Sequence, residues 1–181
     1  MLAINFNTLT DLYHDAKDLD NGIDMIHIPR IYRLINKNRP LRLEQQNQHQ
    51  SPIITFEERF SKRILNDYEL TQLNNELSSL PFDFFNGNKE LFYNHVSKFL
   101  AVRWALKEAT YKAIYPMYKL TWKEITIKKI EGAKPSVYLN VNNNNNNNNN
   151  NDIIDFIKTI KIHCSVSHEK NIVISQVIIE K

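Results

Sequence analysis

The chain has 181 residues, of which 42% are hydrophobic and 24% are charged, with a formal net charge of +3 and a pI near 8.9. This length fits one domain with a substantial core, and no apolar run approaches the ~18 residues that a membrane span needs. A single cysteine excludes an internal disulfide framework. The mild basic excess favours an acidic partner without identifying nucleic acid.

The sequence of the N-terminal part predicts an extension followed by a strand. Residues 1–28 contain no arginine, which argues against a secretory signal and an Arg-rich transit peptide, and we assign 1–21 to an extension. Gly22 to Ile28 has strand-like content, and Pro29 suits the first turn of a helix. Asp24 lies inside that strand, where aspartate is depleted, so either a hydrogen bond to a nearby turn or a functional role must account for it.

Helical spacing governs the next part of the chain. A short helix follows Arg30, and residues 36–52 then form a polar insertion. A second helical spacing covers 56–65, and Asn66 with Glu69 matches a capping box that opens a third helix. We expect these two helices to meet near Asn66.

The longest predicted helix runs from about Lys89 to Pro116 and carries two different faces. One apolar stripe consists of Phe99, Val102, Leu106, Ala109 and Ala113. The opposite side carries Trp104, Glu108, Tyr111, Lys112 and Tyr115. A helix that is apolar around most of its circumference is buried on two sides, so the carboxylate of Glu108 needs a compensating cation or metal. The alternative is a solvated pair of Glu108 with Lys112, four residues later.

Strand patterns dominate the C-terminal third. Alternation predicts strands at 125–128 and 137–141 around a turn at 131–135, and two strands near the end joined by a turn at 168–171. Ten asparagines, 142–151, predict a disordered insertion, followed by a short amphipathic segment at 153–157. The order of elements predicts one α+β domain with a mostly antiparallel sheet packed against the long central helix.

Three stretches, GIDMIHIPRI at 22–31, FLAVRWALKEATYKA at 99–113 and SVSHEKNIVISQVII at 165–179, together resemble one family. They match the G-x-D, W/F-x-x-K-E-A-x-x-K and S-x-S-H motifs, in order, of the holo-acyl-carrier-protein synthases, the small branch of the 4′-phosphopantetheinyl transferases. FSKRILNDYEL at 60–70 resembles the segment between the first two motifs. The resemblance implies one transferase domain over 22–181, interrupted by the insertions at 36–52 and 142–151.

This resemblance implies a Mg²⁺-dependent transfer of phosphopantetheine from coenzyme A to a serine of an acidic apo acyl carrier protein, with release of adenosine 3′,5′-bisphosphate. Asp24 and Glu108 match the metal positions, and Lys112 would reach a phosphate oxygen. His168 matches the S-x-S-H histidine near the coenzyme, with a structural histidine in a hairpin turn as the alternative.

Further residues follow from the same resemblance. The positions that match contacts to the nucleotide end are Lys134, Pro135, Ser165 and Ser167. Arg30 matches an arginine that meets the carrier protein, and Arg59 and Arg63 are its expected companions, with a solvated helix face as the alternative for these two.

The resemblance also implies a homotrimer. The asparagine tract suggests a lower eukaryote with AT-rich coding sequence, where such an enzyme serves a mitochondrial carrier protein, with the cytoplasm as the alternative compartment. Two competing functions are an inactive relative that acts as a carrier-protein scaffold and a nucleic-acid-binding module. The module lacks a recognisable motif or a dense Lys/Arg stripe.

Overall fold

The computed structural model describes residues 19–36, 56–80, 89–129, 134–141 and 149–181. The elements are β1 (Leu19–His27), α1 (Ile28–Ile35), α2 (Phe56–Ile64), α3 (Asp67–Ser79), α4 (Lys89–Ile114), β2 (Ile125–Lys128), β3 (Ser136–Leu139), α5 (Asn149–Thr159), β4 (Lys161–Glu169) and β5 (Ile172–Glu180). Outside the described residues lie 1–18 of the predicted extension, nearly all of the 36–52 insertion and 142–148 of the asparagine tract. None of the described helices combines the length and apolar character that a bilayer span requires.

Antiparallel pairing organises the described strands into two sheets. The larger sheet has the order β1-β5-β4, and β2 with β3 forms a separate hairpin. Mixed helices and antiparallel strands confirm the predicted fold class. β1 begins at Leu19, within the segment assigned to the extension, because its first residues continue the ladder to the end of β5, where Leu19 pairs with Glu180.

Helix α4 covers one face of the larger sheet. On β5 the buried residues alternate, as period-two burial requires: Val173, Ser175, Val177 and Ile179. The predicted apolar stripe of α4 is buried at Phe99, Leu106, Ala109 and Ala113, and Val102 is half-buried. The long central helix therefore packs on the sheet as expected, and it begins at the predicted residue and ends at Ile114, two residues early.

A backbone contact joins β1 to α4. A Cβ atom at Gly22 would lie 1.9 Å from the carbonyl oxygen of Ala109 and 2.8 Å from the nitrogen of Ala113. Since real Cβ atoms do not approach other atoms so closely, only glycine permits this packing. The strand is thereby held against the helical turn that follows Glu108.

The capping box predicted at Asn66 is confirmed. The Asn66 side chain accepts a hydrogen bond from the Glu69 nitrogen, and the Asn66 nitrogen donates to Glu69 Oε2, both at 3.0 Å. Helix α2 ends at Ile64 and α3 begins at Asp67, so the two helices meet at the predicted residue.

Two predictions at the C-terminal end were wrong. The disordered insertion was expected to reach Asn151, but Asn149 to Asn151 form the first turn of α5, because asparagine is tolerated where a helix begins and the amphipathic segment extends back into the tract. The hairpin turn was expected from His168, but β4 continues through Glu169. The turn is confined to Lys170 and Asn171, and Lys170 adopts a positive φ of 46°.

Replacing Gly22 with alanine tests the close contact. We expect Gly22→Ala to lower the free energy of unfolding by about 2 kcal/mol, because the added methyl group forces β1 away from α4. Urea denaturation followed by circular dichroism measures the loss. Asn21→Ala, on the exposed side of the same strand, is the matched control; an equal loss in both variants would contradict the contact.

Candidate functional site

Asp24 lies on the side of β1 that faces α4, and its side chain is only 12% exposed. Its Oδ1 accepts a hydrogen bond from Lys112 Nζ at 2.8 Å, and the same ammonium group binds the carbonyl oxygen of Ile23 at 3.1 Å. Its Oδ2 is buried, and no group in the described part of the chain donates to it. A buried carboxylate oxygen without a donor is unfavourable, so this atom presents an acceptor suited to a cation.

Glu108 lies on α4 one turn before Lys112 and is half-buried, as the sequence predicted. Residues four apart share one helix face, so Glu108 and Lys112 lie on the same side of α4, and Lys112 contacts Asp24 of β1. The alternative of a solvated Glu108–Lys112 pair is not what the structure contains, because the ammonium group binds Asp24 and Ile23 instead. The sequence did not predict this contact of Lys112 with Asp24.

The two carboxylates fit a hard divalent cation. Mg²⁺ characteristically takes one or two carboxylates and completes its octahedral shell with waters and substrate phosphates. Among the described residues no cluster of three or more histidine, cysteine, aspartate or glutamate side chains could hold a metal by itself. Two carboxylates alone would leave most of the coordination shell of such an ion to waters or to phosphate oxygens.

A basic cavity of about 310 Å³ lies beside the earlier turns of α4. His168 lines it together with four further basic side chains, which are His95, Lys98, Arg103 and Lys129. Arg103 Nε is buried, and no acceptor in the described ranges binds it, whereas His95 Nε2 lies 3.5 Å from Oε2 of Glu76, an acidic residue that also lines the cavity. The unpaired arginine donor, in a cavity where basic side chains outnumber the one acidic side chain, can bind an anion such as a phosphate group.

Arg103 is the most deeply buried cation of this cavity, with 6% of its surface exposed. Its guanidinium carbon lies 3.1 Å from the centroid of the Phe99 ring, and NH2 donates to Gln72 at 3.2 Å. Burial lowers the pKa of Arg103 to about 10, an effect partly opposed by Glu69 and Glu76. The group therefore stays charged at neutral pH and can bind an anion.

His168 also lines a second cavity, of about 630 Å³, with His27, Ser167 and residues of the β4–β5 turn. Ser165 lies on the same exposed side of β4, in register with Gln176. The carbonyl oxygen of Pro135 accepts from Cys164 Sγ at 2.9 Å, which places the start of β3 beside β4, and the adjacent Lys134 is exposed. Ser167 and His168 thus line one cavity. Pro135 contacts Cys164, the residue before Ser165.

The single cysteine, Cys164, lies in β4 and is half-buried, and burial raises the pKa of its thiol. It therefore behaves as a packing residue rather than a reactive thiolate.

Two of the three predicted arginines lie beside Trp104. The Arg30 guanidinium carbon lies 5.8 Å from the centroid of the Trp104 ring. Arg63 lines a mostly apolar cavity of about 530 Å³ with Phe60, Trp104 and Trp122. Arg59, one turn earlier on α2, is exposed but does not line this cavity. Two of the three arginines are thus brought together at one apolar surface.

Sequence reasoning missed several charged residues that the structure places in or near the site. Arg103 and the basic residues around it come together only through tertiary packing. Lys107 is fully buried and contacts Glu69, which the sequence identified only as a helix cap. The sequence did contain a signal for Arg103 and Lys107, because both are cations within an otherwise apolar part of α4.

Comparison with known proteins assigns this chain to a family. The model of the 4′-phosphopantetheinyl transferase superfamily matches residues 22–158. A protein of Schizosaccharomyces pombe, whose name assigns it provisionally to the holo-[acyl-carrier-protein] synthases, is 30% identical over 121 residues, which are 66% of this chain and 73% of that protein.

Solved structures share the fold. The acyl carrier protein synthase of Plasmodium yoelii with ADP bound has a TM-score of 0.60 at 22% identity, over 89% of this chain and 93% of its own. The holo-(acyl-carrier-protein) synthase of Bacillus anthracis in complex with CoA has a TM-score of 0.52 at 20% identity, over 89% and 95% of the two chains. The expected single-domain fold is confirmed.

Proposed function

Since this chain belongs to the 4′-phosphopantetheinyl transferase superfamily and, within it, to the holo-acyl-carrier-protein synthases, we propose that it transfers phosphopantetheine from coenzyme A to a serine of an apo acyl carrier protein. The serine oxygen forms a bond to phosphorus, the bond to the bridging pyrophosphate oxygen breaks, and adenosine 3′,5′-bisphosphate leaves. The observation that carries the proposal is the hydrogen bond from Lys112 of α4 to Asp24 of β1, with Glu108 one helical turn before Lys112.

Asp24 and Glu108 are the proposed ligands of Mg²⁺. The bound ion would neutralise negative charge on the pyrophosphate oxygens of coenzyme A. Lys112 supplies a point charge to a phosphate oxygen from the same face of α4. Its contact with Asp24 supports this role, because it keeps the ammonium group beside the proposed ligand.

The basic cavity is the proposed site for a phosphate of the nucleotide end of coenzyme A. The unpaired Nε donor of Arg103 supports this assignment, and His168 lines the same cavity. Lys134, Pro135, Ser165 and Ser167 stay predicted nucleotide contacts. CoA and ADP are bound by structural relatives of the same fold, which agrees with a nucleotide ligand.

The carrier protein is proposed to dock at Trp104. Arg30 and Arg63 place positive charge at the edge of an apolar cavity, and this combination suits an acidic helix that also carries an apolar face. Arg59 extends the positive charge along α2. The mitochondrial compartment, with the cytoplasm as its alternative, stays a prediction.

A homotrimer is the proposed assembly, and the outer face of the larger sheet is its proposed interface. Four neighbouring apolar side chains on this face are between 41% and 64% exposed: Ile23, Met25, Ile172 and Ile174. Met25 and Ile174 are directly paired across β1 and β5. A flat apolar patch of this kind is characteristic of protein interfaces.

The transfer reaction is tested by mass spectrometry. Apo acyl carrier protein with coenzyme A, Mg²⁺ and this protein should gain the mass of one phosphopantetheine group, and Glu108→Gln should lose nearly all of this activity because a carboxylate ligand is removed. Glu90→Gln, at the other end of α4, is the matched control and should keep the activity. Absence of a gain with every carrier protein tested would leave the scaffold alternative.

The carrier surface is tested by charge reversal. We expect Arg30→Glu to raise the KM for carrier protein about tenfold and to leave the KM for coenzyme A almost unchanged, since an exposed charge acts on its partner protein. Lys158→Glu on α5 makes the same change in net charge away from Trp104. Equal effects of Arg30→Glu on both substrates would exclude the docking assignment.

The oligomeric state is tested on the sheet face. Size-exclusion chromatography with light scattering should report a trimer for the wild type, and Met25→Lys with Ile174→Lys should shift it to monomer, because the interface would bury two charges. Met117→Lys changes an exposed methionine outside the sheet and should leave the trimer intact. A monomeric wild type would refute the assembly.

A further inference from the structure

Lys107 and Glu69 form an ion pair inside the protein, next to the proposed metal site. Lys107 Nζ lies 2.6 Å from Glu69 Oε2, and both side chains have 0% exposure. Lys107 is the residue immediately before Glu108. Burial lowers the pKa of Lys107, and Glu69 opposes this shift.

Hydrogen bonds satisfy the pair from four segments of the chain. Lys107 Nζ also donates to the carbonyl oxygens of Ile64, at 2.9 Å, and Trp122, at 2.7 Å, so its three protons all have acceptors. Glu69 Oε1 accepts from the Ile127 nitrogen at 2.9 Å, and Oε2 also accepts from the Asn66 nitrogen. The pair therefore links α4 to the end of α2, the start of α3 and strand β2.

A buried pair of this kind is not an efficient source of stability. The desolvation of two charges offsets most of their attraction, and apolar replacements of similar volume are often neutral or stabilising. What such a network does provide is position, because each bond is lost if the helix rotates or slides. The network therefore fixes the position of Lys107 on α4, and with it the position of the residues next to Lys107.

Helix α4 is held on two sides at the turn that carries Glu108. On one side Ala109 abuts Gly22 of β1. On another side Lys107 is bound to α2, α3 and the segment before β2. Glu108 lies between these two attached residues, so neither the rotation nor the axial position of its Cα is free.

We propose that Lys107, bound by Glu69, is a positioning residue that fixes the Glu108 carboxylate on the turn of α4 before Lys112, the residue that contacts Asp24. The proposal rests on the proposed function, since it takes Glu108 as a metal ligand. Lys107 has no role as a substrate contact, because its ammonium group is enclosed and fully used by protein acceptors. Residues that orient a metal ligand change metal affinity and activity by about tenfold to a hundredfold when they are replaced.

Two variants separate positioning from stability. Lys107→Met alone leaves the buried carboxylate of Glu69 without its cation. This variant should therefore strongly lower the urea concentration at the midpoint of unfolding. Lys107→Met with Glu69→Gln removes both charges, while the amide oxygen of the new glutamine still accepts from the Ile127 nitrogen, so this double variant should fold cooperatively. Thr110→Val is the matched control, because Thr110 is a buried polar residue of α4 whose hydroxyl donates within the helix, to the carbonyl oxygen of Leu106 at 2.7 Å.

The measurements are the binding of Mn²⁺, as a spectroscopic substitute for Mg²⁺, by electron paramagnetic resonance in the presence of coenzyme A, and steady-state kinetics. The double variant should bind Mn²⁺ about tenfold more weakly, with kcat reduced about tenfold and the KM for coenzyme A within about twofold of wild type. Thr110→Val should match the wild type.

The outcomes distinguish this proposal from the function on which it rests. A folded double variant with wild-type Mn²⁺ affinity and kcat overturns positioning while leaving the transferase function intact. If the wild type binds Mn²⁺ but transfers nothing, the function fails and the metal affinity of the double variant still decides positioning. A wild type without Mn²⁺ binding overturns both.

Discussion

The approach of Gly22 to Ala109 is the constraint on which the site depends. Strand β1 touches helix α4 through backbone atoms, without an intervening side chain. Because successive strand residues alternate faces, Asp24 then lies on the helix side of β1, within hydrogen-bond distance of Lys112. A larger separation would have left room for side chains between the two elements and moved the strand carboxylate away from the helix.

The charged residues of α4 differ in how completely protein groups satisfy them, and this difference separates structural from functional roles. Lys107 donates to three acceptors and is enclosed. Arg103 keeps one donor without an acceptor among the described residues. Asp24 keeps one oxygen in the same condition. The fully satisfied group holds the fold, whereas the incompletely satisfied groups are the ones that we propose to bind a phosphate or a cation.

Local sequence signals predicted the elements well. The capping box at Asn66, the stripe of α4 and the alternation of β5 each reflect interactions within a few residues, and each was observed. The predicted boundaries of elements were wrong at Asn149, where a helix begins earlier than expected, and at His168, where a strand continues further than expected. At such ends, neighbouring structure extends an element beyond what its own residues favour. The match of Asp24, Glu108 and Lys112 to family motifs made them candidate site residues, but spacing alone could not show that Lys112 binds Asp24.

The sequence by itself determined the order of helices and strands, the antiparallel class of the sheet and the family, because periodicity, caps and short motifs are local properties. Only the tertiary structure decided which charges meet. Glu69 and Lys107 are 38 positions apart and Asp24 and Lys112 are 88 apart, and no local interaction encodes either contact. They form because Gly22 lets β1 close on α4 and because α3 begins beneath the same helix, which places distant charges within hydrogen-bond distance.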